Sequence, residues 1–164
     1  MTSSAQETLF REWLAAHAGI PRKISRAYAP GDHDDLHQAM LVQLWRSLPR
    51  FNGHCAATTW IYRVCLNTAL TWRRDEARRT RWLAPEPAPD VPATSPGDEN
   101  SERIARLYAA IHQLPPADRT LVLLLLDQLP YAEIAEITGL TPNAVGARLT
   151  RARARLAQLI AQIP

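Results

Sequence analysis

Arginine recurs near the C-terminal end of the chain, in a segment that contains no acidic residue. Arg148, Arg151, Arg153 and Arg155 all lie within RLTRARARL, residues 148–156. A guanidinium group makes planar, two-pronged contacts with phosphate and with guanine. The spacing therefore predicts phosphate binding and base reading. The competing interpretation is a solvated helix end whose arginines bind nothing specific.

If this segment is a helix with about 100° per residue, its apolar and polar side chains lie on different faces. With Arg148 at zero, one apolar stripe falls between about 40° and 100°, and it comprises Ala152, Val145, Leu156 and Leu149. The opposite face and its two edges hold the residues expected to meet DNA, which are Asn143, Ala147, Arg148, Thr150, Arg151 and Arg155, with Ala154 and Arg153 beside them. Small and base-reading side chains in the middle, with cations along the edges, suit a major groove and its phosphate walls.

The elements that must position this helix form a predicted helix-turn-helix. Apolar residues at 134–137 predict one face of a short helix, and Gly139 permits a sharp turn after it. Thr141 is a good N-cap, and Pro142 suits a first helical position, where its missing amide costs little. The second helix is expected to run to about Ile160. Together these signals are typical of a DNA-binding motif.

A second candidate surface lies on a long helix predicted from about Thr58 to Arg79. One side of this helix is aliphatic and aromatic and is expected to face a core. The outward residues mix one aromatic ring with amide, hydroxyl and guanidinium groups, and the principal ones are Trp60, Arg63, Asn67, Arg74 and Arg78. An aromatic ring among arginines can stack on unpaired bases while the cations hold the backbone. The alternative for Trp60 is a core position near the start of the helix.

The remaining helices are predicted from apolar spacing and from breakers. A first helix is expected to break near Gly19 and Pro21, before a short second one. Asp32 is expected to cap the next helix, which Pro49 ends, and Asp118 is expected to cap an apolar helix over 118–128. No segment alternates like a strand, so the predicted fold class is all-α.

Composition and charge bound the architecture. The chain has 164 residues, 46% of them hydrophobic, with a formal net charge of +3. Five prolines fall between Pro85 and Pro96, and this composition favours an extended tether. We therefore predict two small helical domains, 1–83 and 102–164, joined by a proline-rich linker at 84–101. No signal peptide or membrane span is recognisable, so a soluble, cytoplasmic protein without membrane insertion is expected.

Two blocks of sequence resemble a known family. DDLHQAMLVQLWRSLPRFNGHCAATTWIYRVCLNTALTWRR, residues 34–74, resembles region 2 of the bacterial extracytoplasmic-function (ECF) sigma factors of the sigma-70 family. LPPADRTLVLLLLDQLPYAEIAEITGLTPNAVGARLTRARARL, residues 114–156, resembles their region 4. The resemblance implies an alternative sigma factor that binds core RNA polymerase and directs promoter-specific initiation.

The resemblance also implies roles for particular positions. The helix that docks on the polymerase β′ coiled coil matches at Asp35, Gln38, Leu41, Leu44 and Trp45. The pocket that holds a flipped base of the minus-10 element matches at Phe51, Asn52 and Asn67. The helix predicted to enter a groove would read the minus-35 element. The family also implies contact with the β flap and control by an anti-sigma factor.

Some positions depart from the sigma-factor pattern, and other functions remain possible at this point. Gly146-Ala147 stands where the family usually has a basic and then a polar residue, which leaves the minus-35 sequence in doubt. A free-standing helix-turn-helix regulator that binds operators is the main alternative, and a helical protein-binding adaptor is another. No nucleophile, phosphate-loop or metal motif is present, so neither an enzyme nor a cofactor is expected.

Overall fold

The computed structural model describes residues 3–82 and 99–163, and within these ranges all regular structure is helical. The all-α prediction is confirmed. The chain divides into two compact units, Met1–Ala84 and Pro85–Pro164, which are described separately below as unit 1 and unit 2. Within the described ranges, no helix is long and apolar enough to cross a bilayer.

Unit 1, over its described residues 3–82, contains four α-helices and one short 3-10 turn. They are α1 (Ser3–His17), α2 (Gly19–Tyr28), α3 (His33–Ser47), the turn Leu48–Arg50 and α4 (Ala57–Trp82). Helices α2, α3 and α4 pack against one another, and α1 packs against α3. The core is built from residues at helical spacing, with Leu36 and Met40 from α3 and Cys65 and Ala69 from α4 all fully buried.

The described part of unit 2 contains four α-helices around a smaller core. They are α5 (Glu99–Gln113), α6 (Pro116–Leu126), α7 (Tyr131–Thr138) and α8 (Pro142–Gln162). Helix α8 packs against the other three. The apolar side of α8 meets the run LVLL of α6 at 121–124, which is buried throughout. The predicted linker lies outside the described residues except for 99–101, which belong to α5.

A buried arginine fastens α6 to the end of α5. Arg119 is 2% exposed, and its Nη2 donates to the carbonyl of Leu114 at 3.0 Å and to that of His112. The last carbonyls of a helix have no intrahelical donor, so a cation at that place satisfies them. Sequence reasoning passed over this residue because a charged side chain between Asp118 and Thr120 is normally exposed.

Two predicted helix starts need correction, and a third has the predicted position without the expected capping bond. Asp32 occupies the N-cap of α3 but makes no side-chain capping bond. Asp118 lies inside the first turn of α6, whose N-cap is Pro115 and whose first residue is Pro116. Helix α2 begins at Gly19 and contains Pro21, because the amides of a first turn need no intrahelical partner.

Candidate nucleic-acid interfaces

The turn between α7 and α8 has the predicted geometry. Gly139 adopts a left-handed conformation with φ 75°, and its amide donates to the Ala135 carbonyl at 2.8 Å. The Thr141 hydroxyl accepts from the Ala144 amide at 3.2 Å, and Pro142 is the first residue of α8. The helix-turn-helix is therefore fixed by the residue types that predicted it.

The two faces of α8 also fall where the sequence predicts. Val145, Leu149 and Ala152 are fully buried. The opposite face is exposed, and it comprises Asn143, Ala147, Thr150, Arg151 and Ala154. On the edges, Arg153 and Arg155 are exposed and Arg148 is half-buried.

The arginines of α8 form no ion pairs with acidic side chains in the described parts of the chain. No acidic residue occurs after Glu136, and none of the four arginines has an ion pair among the described residues. The Thr150 hydroxyl donates to the Gly146 carbonyl at 3.0 Å, so in this rotamer it offers a ligand only acceptor lone pairs. The arrangement can bind phosphates at its edges and read bases at its centre.

In unit 1, the outward face of α4 carries exposed Asn67, Arg74 and Arg78, while Arg63 is half-buried. The guanidinium of Arg74 donates to the Thr71 hydroxyl at 3.2 Å. The inward face is buried as predicted from Ile61 to Ala69, whereas Trp72, which was also expected there, is half-buried and lines a groove described below. A polyanion could therefore approach α4 from the side that bears these arginines.

Trp60 is not the open stacking surface that was predicted. Its ring is half-buried, and its Nε1 donates to the Ser47 hydroxyl at 3.0 Å. It meets Phe51 edge to face at 5.6 Å, and Phe51 meets the buried Trp13 at 5.0 Å in the same manner. An indole nitrogen usually finds a partner when the ring is buried, and here contacts with Ser47 of α3 and with Phe51 hold the ring of Trp60.

The loop between the 3-10 turn and α4 is shaped by its own side chains. The Asn52 carboxamide oxygen accepts from the His54 amide at 3.1 Å, and Gly53 has φ 76°. Asn52 itself is exposed, whereas Phe51 is anchored in the aromatic cluster. The loop thus starts from a packed ring and then turns outward.

A groove of about 430 Å³ runs between α3 and α4. Its lining residues are Gln43, Ser47, Val64, Asn67, Thr68, Thr71, Trp72 and Asp75. Asn67 is exposed, and its amide makes no hydrogen bond within the described residues. The hydroxyl of Ser47 is already committed, since it donates to the Leu44 carbonyl at 2.8 Å and accepts from Trp60. The amides of Asn67 and Gln43 are therefore among the neutral polar groups available to a guest.

The resemblance grouped Phe51, Asn52 and Asn67 in one pocket, but only Asn67 lines this groove. Phe51 connects to it indirectly, through Trp60 and Ser47. Sequence reasoning missed Gln43 and Asp75, because residues on two helices become neighbours only through tertiary packing.

The predicted polymerase-docking helix, α3, presents part of the expected set. Asp35 and Gln38 are exposed, and Leu41 and Trp45 are half-buried. Trp45 meets Phe10 of α1 edge to face at 5.3 Å, which holds its ring in place.

Leu44 was wrongly included among the polymerase-docking residues. Its side chain is 3% exposed and lies in the core of unit 1, so it is not available to a partner. Val42, which was not predicted, is 46% exposed on α3. Leu44 repeats at the core spacing of Leu36 and Met40, and that spacing could have excluded it.

The two cysteines differ in environment. Burial raises the pKa of the Cys65 thiol to about 12, so this thiol stays protonated and unreactive. Cys55 is half-buried in the loop before α4. Over the described parts of the chain, no group of three or more His, Cys, Asp and Glu side chains is arranged to hold a metal ion.

Comparison with known proteins matches both units. The model of sigma-70 region 2 matches residues 9–79, and the model of sigma-70 region 4 matches residues 104–156. The ECF RNA polymerase sigma factor SigG of Mycobacterium tuberculosis is 35% identical over 155 residues, covering 76% of this chain and 41% of SigG. The chain thus spans about two-fifths of the length of that relative.

Shorter relatives match over most of their length. The ECF RNA polymerase sigma-E factor of Haemophilus influenzae is 30% identical over 144 residues, covering 79% of this chain and 75% of that protein. Among solved structures, the sigma factor RpoE in complex with the anti-sigma factor NepR from Bartonella quintana has a TM-score of 0.73 at 19% identity, covering 94% of this chain and 98% of that one. On these matches, the chain belongs to the ECF sigma factors of the sigma-70 family.

Proposed function

We propose that this chain is a promoter-specificity subunit of bacterial RNA polymerase. Unit 1 binds the core enzyme and opens and reads the minus-10 element, and unit 2 reads the minus-35 element. In this proposal the chain acts by binding core polymerase and promoter DNA, and the polymerase carries out the chemistry. As a polymerase subunit it works in the cytoplasm.

The observation that carries this proposal is the α3–α4 groove with the amide of Asn67, which makes no hydrogen bond to any described residue. A base taken out of the stack presents its whole hydrogen-bonding edge, and a polar groove can read that edge. The exposed Arg74 and Arg78 lie further along α4, where they can neutralise the strand that carries the base. A free-standing operator-binding regulator needs only unit 2 and leaves this groove without a use.

The exposed face of α8 supports minus-35 reading. Arg151, Asn143 and Thr150 stand in its middle, and the arginines on its edges have no ion pair with an acid in the described parts of the chain. Contacts of the central residues with base edges would specify the sequence, and contacts of the edge arginines with phosphates would position the protein on the duplex.

Contact with the core enzyme is proposed for the exposed side of α3. Asp35 and Gln38 offer polar contacts, and Leu41 and Trp45 offer partly exposed apolar ones. We propose the polymerase β′ coiled coil as partner of this face and the β flap as partner of unit 2. The solved RpoE–NepR complex supports an anti-sigma factor as a further partner.

Reconstitution with purified core polymerase tests the proposal. The chain should bind core in a pull-down and support run-off transcription from start sites mapped after its overexpression. Asn67→Ala should retain core binding but lose most transcription and the permanganate reactivity of thymines in the melted segment. The matched change Asn100→Ala on α5 should leave all three readouts intact. Failure of the unmodified chain to bind core would refute the proposal.

A further inference from the structure

The two edges of α8 are not equivalent in charge. Arg148 and Arg155 are seven residues apart and mark one edge. On the other edge, Arg153 has its equivalent seven residues earlier at Gly146, which carries no side chain. Seven residues return a helix to nearly the same angle, within about 20°. One of four equivalent positions therefore lacks a cation.

The ring of Tyr131 covers that position. A Cβ placed on Gly146 would lie 3.4 Å from Cε2 and 3.7 Å from Cδ2 of Tyr131, so the ring lies directly against the backbone of α8. The ε carbon, next to the one that bears the hydroxyl, is the nearer of the two. Tyr131 is 39% exposed, and its hydroxyl has no hydrogen-bond partner within the described residues.

The position of the ring relates it to the groove-reading face. Gly146 lies about 40° from Thr150 and about 60° from Asn143 around the helix axis. Tyr131 is also the first residue of α7, and in a helix-turn-helix the first helix is the one that crosses the DNA backbone. Tyrosine hydroxyls are among the groups that bind phosphate oxygens.

We infer that Tyr131 donates a hydrogen bond to a DNA phosphate at the place on the α8 edge where Gly146 leaves no side chain. The contact is neutral, so it adds affinity without releasing a counterion. This inference rests on the proposed function of α8 and names a residue that sequence reasoning did not select.

Tyr131→Phe in the full chain tests the hydroxyl alone. The probe is a 30-base-pair duplex that the unmodified chain selects from a randomised pool, and affinity is measured by fluorescence anisotropy over a range of salt. Affinity should fall roughly three- to tenfold, while the slope of log K against log salt stays unchanged because no charge is lost. Arg153→Ala should lower that slope by about one unit.

Two controls separate this contact from packing. Tyr108→Phe makes the same chemical change on α5 and should not alter DNA affinity. Circular dichroism should show that Tyr131→Phe leaves the melting of unit 2 in place. Unchanged affinity for Tyr131→Phe, together with a loss for Arg151→Ala, overturns the assignment of Tyr131 and leaves the proposed function standing. Unchanged affinity for both overturns the DNA-reading role of α8 as well.

Discussion

Gly146→Ala should stabilise unit 2. Gly146 lies inside α8 with ordinary helical backbone, where glycine costs about 0.8–1 kcal/mol relative to alanine. The new methyl group would meet the Tyr131 ring at 3.4 Å, a contact that an exposed ring can accommodate by a small shift. We therefore expect the free energy of unfolding to rise by roughly 0.5–1 kcal/mol. For a unit of this size, that corresponds to a Tm increase of about 2–8 °C.

The distribution of tryptophan makes the assay specific. All five tryptophans fall between residues 13 and 82, within unit 1, whereas helical circular dichroism reports both units. Fluorescence therefore reports the unfolding of unit 1, and the remaining transition seen by dichroism reports unit 2. Gly146→Ala should raise the Tm of the unit 2 transition and leave the fluorescence transition unchanged.

The same substitution at Gly139 provides the control. Gly139 has φ 75°, and a side chain in this left-handed conformation costs about 1–2 kcal/mol. Gly139→Ala should therefore lower the Tm of the same component, although open space surrounds it. A decrease for Gly146→Ala, or changes of equal sign at both sites, would refute the reasoning from backbone conformation and available space.

Three other perturbations have distinct expected outcomes. Arg119→Met should destabilise unit 2 by about 2–4 kcal/mol in denaturant titrations followed by dichroism, because the His112 and Leu114 carbonyls lose their donor. Arg151→Ala should relax sequence preference by about 1–3 kcal/mol per lost base contact, whereas Arg155→Ala should weaken all sequences evenly, as measured on duplex variants. Burial raises the pKa of Cys65 from 9.0 to about 12, so the buried, protonated thiol contributes to the stability of unit 1. This contribution is complete below pH 9 and is lost as the pH rises toward 12. The fluorescence-monitored stability of unit 1 should show this loss, and Cys65→Ala should reduce it.

Local signals were enough to predict the helix-turn-helix. The turn requires a positive φ, a hydroxyl cap and a proline at the first position, and Gly139, Thr141 and Pro142 each meet one of these local needs. The buried stripe of α8 follows from helical period alone. The residues at which prediction succeeded are those whose conformation depends on neighbours within about one helical turn.

The errors occur where distant residues decide the outcome. Trp60 lies on the predicted outward side of α4, yet a hydrogen bond to Ser47 and contact with Phe51 draw it inward. Asp32 and Asp118 both have side chains suited to capping. Asp32 occupies the N-cap of α3 but makes no side-chain capping bond, and α6 begins before Asp118, with Pro115 at its N-cap. The α3–α4 groove could not be predicted, since its lining combines residues from Gln43 to Asp75 that only packing brings together.

The binding proposed for the two candidate surfaces depends on different forces, so we expect the two surfaces to respond differently to salt. Three of the four arginines of α8 are exposed, and none of the four has an ion pair among the described residues, so we expect DNA binding there to release counterions and to weaken steeply as salt rises. In the groove, Asn67 and Gln43 are neutral, and capture of a base by them depends on hydrogen bonding and desolvation, which salt screens little. Rising salt should therefore reduce the binding of α8 to a closed duplex more than the retention of an unstacked base in unit 1. If instead capture of a single-stranded minus-10 oligonucleotide by the Arg74→Gln, Arg78→Gln variant were as salt-sensitive as duplex binding by α8, the groove would not be the site that holds the base.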